Sequence, residues 1–480
     1  MKKYILIILC CLTSFPLWSY NVNMIVEHYS VDQGLPNNTV NCTLKDRDGF
    51  IWFGTWYGLC CFDGVKFKTF NKQEHDSDVP PRKIQRIVED KNGYIWVKTI
   101  DRKLYVFNKV TECFHAVYDD MKNYSENIQV IKLQNTAEGD VLLLTKDKNL
   151  LLAGVDEKGQ VTIKILFDSR NEINKHDYTL KHHVLCETEE YISWIGTDYK
   201  VAAVHKGSEL ASRPADFITS KINSGDKDSF TSFFEDGRKV WVGDRAGIFY
   251  SIDVRTGLVN RYVLSEIKGA ISNLLVTPAG YVYLSVAGQG TYEYDLAERR
   301  LQKINTEMND AMVTHAFIDQ YDKIWFHENE KALIYYDPLN HTAKRFPFTM
   351  FGKITTLYSE DAGERGLFFL SPAGEAWLFD REHAEMVYIN KLKQLSNDRA
   401  NQQFYHLMLD NDGVLWLSSA DEGVYCMNFP KKQFNLLSLS PQSVGQENYA
   451  TGVRALFQSK SGDIWWAPVG RVFIGWTGTV

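Results

Sequence analysis

The stretch KDRDGFIWFGTWYGLCCFDG, residues 45–64, carries the pattern that decides the fold. An acidic turn ending at Gly49 leads into an apolar segment with Trp52, and a second turn closes at Gly64. Asp and Gly tolerate the left-handed backbone that tight hairpin turns require. Short apolar segments between such turns predict antiparallel strands over residues 39–44, 50–55, 58–62 and 65–70.

The same pattern returns along the whole chain at intervals of 42 to 51 residues. Its centres are read at Trp52, Trp96, Leu143, Trp194, Trp241, Tyr283, Trp325, Phe368, Trp416 and Trp465. This period matches one four-stranded propeller blade, and no segment shows the sustained 3.6-residue periodicity of a helix. A large flat ring on a central strand fills the wedge between neighbouring sheets. We therefore predict that the repeated Trp residues belong to the core.

Ten repeats exceed the roughly four to eight blades of an ordinary ring. We predict an all-β chain with a seven-bladed β-propeller over residues 24–345, followed by about three blades of a second, incomplete β-propeller over residues 346–480. Residues 26–29 are expected to pair with the blade centred on Trp325 and to close the first ring. Residues 470–480 lack an evident third strand for the tenth repeat, so we expect a truncated piece of a longer protein.

The N-terminus predicts a secretory signal peptide over residues 1–19. Lys2 and Lys3 precede an apolar run that is too short for a comfortable membrane span. No later run approaches that length, so we expect a periplasmic product without a further transmembrane span; a buried N-terminal segment or a retained anchor is the alternative. The net charge is −7, from 53 Lys and Arg against 60 Asp and Glu, which argues against nucleic acid as a partner.

Residues 34–40, GLPNNTV, followed by DGFIWFGT at 48–55 and by GL and FDG at 58–59 and 62–64, resemble the two-component-regulator propeller repeat. The resemblance extends over nearly all of residues 24–480. It implies the exported sensor region of a Bacteroidetes hybrid two-component system, which recognises oligosaccharides released from glycans. It also implies a homodimer formed through propeller faces. Full-length relatives carry a histidine kinase, whereas this chain contains no kinase motif.

No pattern selects a catalytic or metal site. The Asp-rich turns, such as Asp46 with Asp48, resemble the opening of a calcium loop, but strands flank them and the twelfth-position Glu is missing. We interpret them as hairpin turns. The six cysteines after the signal are interpreted as small apolar core residues: Cys42, Cys60, Cys61, Cys113, Cys186 and Cys426. The sequence thus predicts no catalytic residue, no metal and no cofactor.

Ligands of propellers usually meet loops at one end of the ring. The candidates are polar and aromatic residues that directly follow the second strand of four repeats: Trp56, Tyr57, Asp198, Tyr199, Asp244, Arg245, His327 and Glu328. Aromatic faces can stack on sugar rings, and Arg pairs with uronate or sulfate groups. Solvated loop residues are the alternative interpretation.

Three functions stay open at this point. The first is a non-enzymatic periplasmic ligand-sensing module for glycan-derived oligosaccharide. The second is an exported propeller enzyme, such as a polysaccharide lyase or a glycosidase. The third is an inactive fragment of a disrupted gene. Binding without cleavage would separate the first from the second.

Overall fold

The computed structural model describes the main part of the chain, with gaps. The described residues are 25–70, 72–73, 81–122, 129–169, 180–188, 190–196, 201–207, 215–216, 230–304, 313–328, 331–348, 358–371, 375–389, 404–428, 453–459, 464–468 and 474–476. The predicted signal peptide and the candidates Asp198 and Tyr199 lie outside them. Among the described residues, no helix is both long and apolar enough to cross a membrane.

The described strands form ten sheets, numbered here in chain order, and the chain is all-β. In sheets 1 to 8 the four main strands, called A to D, pair in chain order and antiparallel. Sheet 1 contains Val40–Lys45, Ile51–Thr55, Gly58–Phe62 and Phe67–Phe70. Sheet 2 contains Ile84–Glu89, Ile95–Thr99, Leu104–Asn108 and Cys113–Ala116, with the short strand Lys72–Gln73 parallel to the last. Sheet 3 contains Val130–Asn135, Val141–Thr145, Leu150–Val155 and Val161–Phe167.

The next five sheets repeat this plan. Sheet 4 contains Leu180–Glu187, Tyr191–Gly196, Val201–His205 and Ala215–Asp216. Sheet 5 contains Phe230–Glu235, Lys239–Asp244, Ile248–Asp253 and Leu258–Val263. Sheet 6 contains Ile271–Val276, Tyr281–Val286, Gly290–Asp295 and Arg300–Lys303. Sheet 7 contains Val313–Ile318, Ile324–Glu328, Ala332–Asp337 and Thr342–Pro347. Sheet 8 contains Tyr358–Asp361, Leu367–Leu370, Ala376–Asp380 and Glu385–Ile389.

Two sheets differ from the plan. Sheet 9 contains strands A to C, Phe404–Leu409, Leu415–Ser419 and Val424–Asn428, with the N-terminal strand Ile25–Tyr29 beside strand C. Sheet 10 contains Val453–Gln458, Ile464–Pro468 and Ile474–Trp476. The described helices are short: the α-helix Tyr118–Met121 and the 3-10 helices Val31–Gln33 and Gly363–Arg365.

The acidic turns between strands A and B owe their shape to one carboxylate. Asp46 Oδ1 accepts hydrogen bonds from the backbone N–H groups of Asp48 (3.0 Å) and Phe50 (2.9 Å). Its Oδ2 accepts the indole N–H of Trp52 at 2.8 Å. The same indole contact joins Asp90 to Trp96, Asp236 to Trp241, Asp319 to Trp325 and Asp410 to Trp416. The interpretation of these segments as hairpin turns is confirmed, and in these five sheets the turn and the core Trp are fixed together.

Each Trp that is bonded in this way packs against the following sheet. Trp52 shares an apolar cluster with Ile95 and Val97 of sheet 2, and Trp96 shares one with residues of sheet 3. The prediction that the repeated Trp residues are core residues is confirmed for Trp52, Trp96, Trp194, Trp241, Trp325 and Trp416, which are at most 5% exposed. In sheet 10, by contrast, Trp465 is 38% exposed.

The cycle of sheets closes between sheets 9 and 1. Trp416 of sheet 9 packs on Ile51 and Phe53 of sheet 1, in the same way as Trp52 packs on sheet 2. The ring of Tyr29 adds to this cluster, because its strand lies beside strand C of sheet 9. The expected pairing of residues 26–29 with the sheet of Trp325 is therefore wrong. The spacing of the repeats could not reveal this, since it is the same in a ring of any size.

The predicted boundary at residue 345 falls inside a compact unit. Trp325 of sheet 7 shares an apolar cluster with Phe369 and Phe379 of sheet 8, so packing continues across that position. The unit extends from Val26 to Asn428 and contains nine of the described sheets. A second unit contains Phe429–Val480. Within it, the strand Ile474–Trp476 pairs with strand B, so the tenth repeat does have the third strand that the sequence pattern did not reveal.

The register of two weak repeats also differs from the prediction. Leu142, and not Leu143, occupies the place of Trp52, because Leu142 pairs with Gln134 as Trp52 pairs with Leu44. Three consecutive leucines made the sequence ambiguous there. In sheet 4 the turn is one residue shorter, and Trp194 lies one position beyond the equivalent place.

Polar side chains connect the A strands of neighbouring sheets. Most A strands contain a register shift after their first residue, and such a bulge re-aims the side chain at that point. Asn41 Nδ2 donates to the carbonyl of Ile84 at 2.6 Å, and Thr231 Oγ1 donates to the carbonyl of Ile271 at 2.7 Å. The A strands therefore form the inner layer of the unit.

Replacing Gly423 with Ala tests the closure of the cycle. Gly423 has φ +92°, and a Cβ there would fall on the carbonyl oxygen of Tyr29 in the N-terminal strand. Gly49 also has φ +92° but has no atom within 4 Å of such a Cβ. We expect G49A to cost about 1–2 kcal/mol, for the backbone conformation alone. G423A should cost clearly more in urea unfolding and should deprotect the N-terminal strand in hydrogen exchange. Equal costs for the two variants would contradict the closure.

Candidate functional site

The predicted aromatic pair lies at an exposed turn. Trp56 and Tyr57 connect strands B and C of sheet 1 and are 42% and 64% exposed. Thr55 Oγ1 fixes the turn by donating to the carbonyl of Gly58 (2.8 Å) and by accepting the N–H of Tyr57 (3.1 Å). Lys83 Nζ lies 5.3 Å from the centre of the Trp56 ring. The indole face is therefore held at a defined place, next to a cation. The turns between strands B and C are called the B–C turns below.

Asp244 is a structural residue of its turn. It is 2% exposed, and its Oδ1 accepts the N–H groups of Ala246 (2.9 Å) and Ile248 (2.8 Å). Burial raises the pKa of this carboxyl, and the turn N–H groups act in the opposite direction. Arg245 next to it is exposed. Of this predicted pair, Arg245 faces solvent and Asp244 stabilises the turn.

Glu328 is also engaged within the fold. It is 3% exposed and accepts hydrogen bonds from Arg345 Nε (3.1 Å) and Nη2 (3.0 Å). His327 pairs across the strands with His315, and burial lowers the pKa of both imidazoles. The described candidates belong to sheets 1, 5 and 7, which are not neighbours in the cycle, so the structure does not bring them into one site.

Three cations of sheet 2 that the sequence interpretation missed lie near one another, and one of them, Lys98, reaches sheet 3. Lys98, on strand B of sheet 2, is 7% exposed, and its Nζ donates to Gln85 Oε1 (2.8 Å) and to the carbonyl of Ile131 (3.0 Å). Burial, aided by the positive charges of Arg102 and Arg86, lowers the pKa of Lys98 to about 8. We call Arg86, Lys98 and Arg102 the cation cluster. It could have been noticed by comparing the residue two places after each central Trp, since Gly occupies that place in sheets 1 and 5.

Acidic residues gather at the opposite end, at the turns between strands A and B. One oxygen each of Asp46, Asp48 and Glu89 lies within 4.8 Å of the others. Lys109 Nζ lies among them, at 3.1, 2.6 and 2.8 Å respectively. Arg381 plays the same part between sheets 7 and 8, where it contacts Asp319 at 2.6 Å. These carboxylates neutralise cations that connect neighbouring sheets.

Three of the five described cysteines are buried, in agreement with their interpretation as core residues, and Cys61 and Cys113 are partly exposed. Cys42, Cys60, Cys61, Cys113 and Cys426 are free thiols, and Cys42, Cys60 and Cys426 are buried. Burial raises the pKa of these three thiols to about 12. A thiol with a raised pKa is a poor nucleophile at neutral pH. The side chain of Cys186 lies outside the described residues.

A pocket of about 390 Å³ lies between sheets 2 and 3, away from the predicted candidates. Its polar lining includes Asn108, His115, Asp120 and Gln160, with His115 Nε2 at 2.7 Å from Asp120 Oδ2. His115 and Asp120 are therefore joined by a hydrogen bond. The lining also includes Cys113, on the same strand as His115.

The family model of the two-component-regulator propeller matches residues 34–57. The resemblance suggested by GLPNNTV and the following turn is confirmed for that segment. These residues form strands A and B of sheet 1 and the turn that carries Trp56. A search of the curated proteins finds no match.

Solved structures similar to this chain include extracellular domains from B. thetaiotaomicron. The domain of the proposed hybrid two-component system BT3049 is 15% identical with a TM-score of 0.34, and the match covers 94% of this chain and 65% of that one. The domain of the proposed system BT4673 is 14% identical with a TM-score of 0.37, covering 90% and 68%. The Dos1 propeller is 12% identical with a TM-score of 0.44, covering 84% and 94%. This chain thus spans about two thirds of the length of those two extracellular domains.

His406 on strand A of sheet 9 predicts an acid-sensitive fold. Its buried Nδ1 has no hydrogen-bond partner among the described residues, and burial, aided by the charge of Arg86, lowers its pKa to about 4. The unfolded chain binds a proton near pH 6.5 and the folded chain does not, so stability is lost as the pH falls from 6.5 towards 4. Between pH 7.5 and pH 5, protonation of His406 should lower the free energy of unfolding of the wild type by about 2 kcal/mol. We expect H406Q to lack this decrease when urea unfolding is measured at both pH values.

His383 provides the control for this prediction. It is fully exposed, and its hydrogen bond to Asp380 raises its pKa. Its contribution therefore has the opposite sign and is present at low pH. H383Q should become less stable relative to the wild type as the pH falls. An H406Q profile parallel to that of the wild type would show that His406 titrates as in water.

Proposed function

We propose that this chain is an exported, non-enzymatic ligand-sensing module that recognises a glycan-derived oligosaccharide in the periplasm. The observation that carries the proposal is the match of residues 34–57 to the two-component-regulator propeller. Those residues include Trp56, whose exposed ring has a flat face that suits a sugar. The match covers only residues 34–57. The identity of the ligand is therefore proposed, and so is the signalling that a longer protein would carry out.

The state of the candidate carboxylates supports binding over cleavage. A glycosidase needs two carboxyl groups that face the bond to be cleaved. Asp244 is occupied by the N–H groups of its own turn, and Glu328 by Arg345. Glu293, buried between sheets 6 and 7, accepts the hydroxyl groups of Tyr283 (3.0 Å) and Tyr336 (3.1 Å). Each of these groups has a structural task.

Replacing Trp56 with Ala tests the aromatic platform. In calorimetric titration of the purified chain against oligosaccharides of plant and host glycans, we expect one of them to bind without being cleaved. W56A should weaken that binding by roughly two- to ten-fold, the value of one aromatic contact. Phe50, in the turn at the other end of sheet 1, has the same exposure of 42%. F50A should therefore bind like the wild type.

Product analysis of the same mixtures decides between binding and catalysis. Release of shortened or unsaturated sugars by the purified chain would overturn the proposal in favour of a glycosidase or a lyase. The association of two copies, which the resemblance implies, belongs to the same proposal. Light scattering of the purified chain with and without the bound oligosaccharide measures it.

A further inference from the structure

We propose that the cation cluster binds the acidic group of a sugar, a carboxylate or a sulfate ester, so that the ligand of this module is an anionic oligosaccharide. The inference rests on the proposed function, which it deepens by naming a ligand class. It is argued from Lys98, Arg86 and Arg102, together with the strip of turns that leads from them to Trp56.

Lys98 occupies a place that sheets 1 and 5 keep small, whereas sheets 3 and 7 have Leu144 and His327 there. The equivalent residues of sheets 1 and 5 are Gly54 and Gly243, and a Cβ on them would lie 2.5 Å from Ile84 Cγ2 and 2.7 Å from Ile271 Cγ2. The place therefore faces the first residue of the next A strand at close range. Lys98 at this place directs its ammonium group towards sheet 3, where Nζ contacts the carbonyl of Ile131. In sheets 1 and 5, a glycine at this place allows the two sheets to pack closely.

Within the part of the chain that the structure describes, the ammonium group of Lys98 has no counter-charge. Its two described acceptors, Gln85 Oε1 and the carbonyl of Ile131, are neutral, whereas an ammonium group has three donors. Among the described residues, no carboxylate oxygen lies within 4.0 Å of a cationic nitrogen of Arg86, Lys98 or Arg102. Burying a charge without a partner is costly. An anion at this place would use the third donor and would offset the charge of Lys98, to which Arg86 and Arg102 add.

The backbone at Arg102 gives an independent sign. Arg102 has φ +68° and is the third residue after strand B of its sheet. The third residues after strand B in sheets 1 and 5 are Gly58 and Gly247, with φ +133° and +84°. A left-handed conformation costs a non-glycine residue roughly 1–2 kcal/mol. Strain of this kind is concentrated at functional sites, and Lys148 repeats it at the corresponding turn of sheet 3, with φ +72°.

Backbone hydrogen bonds make the cations and the aromatic ring one continuous strip. Lys83 N–H donates to the carbonyl of Trp56 (2.9 Å), and Ile100 N–H donates to the carbonyl of Lys83 (2.9 Å). Two residues further, the carbonyl of Arg102 accepts the N–H of Val130 in sheet 3 (2.9 Å). A sugar ring on Trp56 therefore lies on the same strip as the donors for its acidic neighbour.

The acidic residue of this strip is already paired. Asp101 accepts the hydroxyl of Thr99 and lies 3.2 Å from Lys103 Nζ. It does not neutralise the cation cluster. The chain as a whole carries a charge of −7, so the local excess of cations is not a general property of its surface. An acidic sugar, with one or a few charges next to an apolar ring face, fits this arrangement better than a polyanion that needs a broad basic surface.

The test compares matched acidic and neutral sugars. The full chain is titrated by calorimetry with digalacturonate and its neutral counterpart galactobiose, with a sulfated disaccharide and its desulfated form, and with sodium sulfate. We expect at least one acidic disaccharide to bind about ten-fold or more tightly than its neutral counterpart, since charged hydrogen bonds are the strong ones. Sodium sulfate alone should bind much more weakly.

Two variants assign the binding to the cluster. R102G suits the backbone, so its melting temperature should equal or exceed that of the wild type while binding of the acidic disaccharide weakens about ten-fold or more. K98M removes the ammonium group and should have a similar effect. The control is R299G, because Arg299 also has a left-handed backbone, φ +55°, but lies in the turn between strands C and D of sheet 6. R299G should bind like the wild type.

Several outcomes would overturn the inference. They are equal affinity for acidic and neutral sugars, unchanged binding by both R102G and K98M, and binding of free sulfate as tight as that of the disaccharide. Tight binding of a neutral sugar that R102G leaves unchanged would remove the inference and leave the proposed sensing function in place. Cleavage of any of these sugars would remove the proposed function instead.

Discussion

The hydrogen bond from the indole N–H to the turn carboxylate is the interaction on which the other contacts depend. One oxygen of the carboxylate holds the turn between strands A and B, and the other holds the ring that packs on the next sheet. Local hairpin geometry and packing between sheets are thus set by one side chain. Where the Trp is lost, the carboxylate is lost too: sheet 6 has Thr277 and Tyr283, and the tyrosine hydroxyl finds Glu293 instead. The buried donor is satisfied in either arrangement, as burial requires.

The strands could be predicted well from the sequence because each repeat contains its own turn and core residues within a short segment. Gly49 after an acidic residue and Trp52 three places later decide turn, register and buried face at once. Closure of the cycle could not be predicted, since it depends on which sheet the Trp416 ring meets, and the distance between repeats does not encode the size of the ring. The same limit explains Leu142, because a run of leucines carries no register of its own.

The candidate site shows a different limit. A polar residue at the end of a strand can face a ligand or can stabilise its own turn, and the sequence around Asp244 allows both roles. The structure shows the second role, because Asp244 accepts the N–H groups of Ala246 and Ile248. Trp56 and Tyr57 were predictable as exposed, because a B–C turn has nothing to bury them. Lys98 was missed because the repeats were compared at their most similar residue. The informative comparison was that of Lys98 with Gly54 and Gly243, which occupy the same place in sheets 1 and 5.

The pairing of the first strand with the last strand of sheet 9 also sets the order of events when the chain is made. Synthesis proceeds at about 5–20 residues per second, so Tyr29 exists for roughly 20–80 s before Val424–Asn428 has been made. During that time the N-terminal strand has no partner of its own, while other sheets can already form from neighbouring segments. Two chains made close together could exchange this strand, because each ninth sheet accepts the same residues from either copy. The stretch between the N-terminal strand and sheet 1 is short, with the 3-10 helix Val31–Gln33 held by the cap of Ser30.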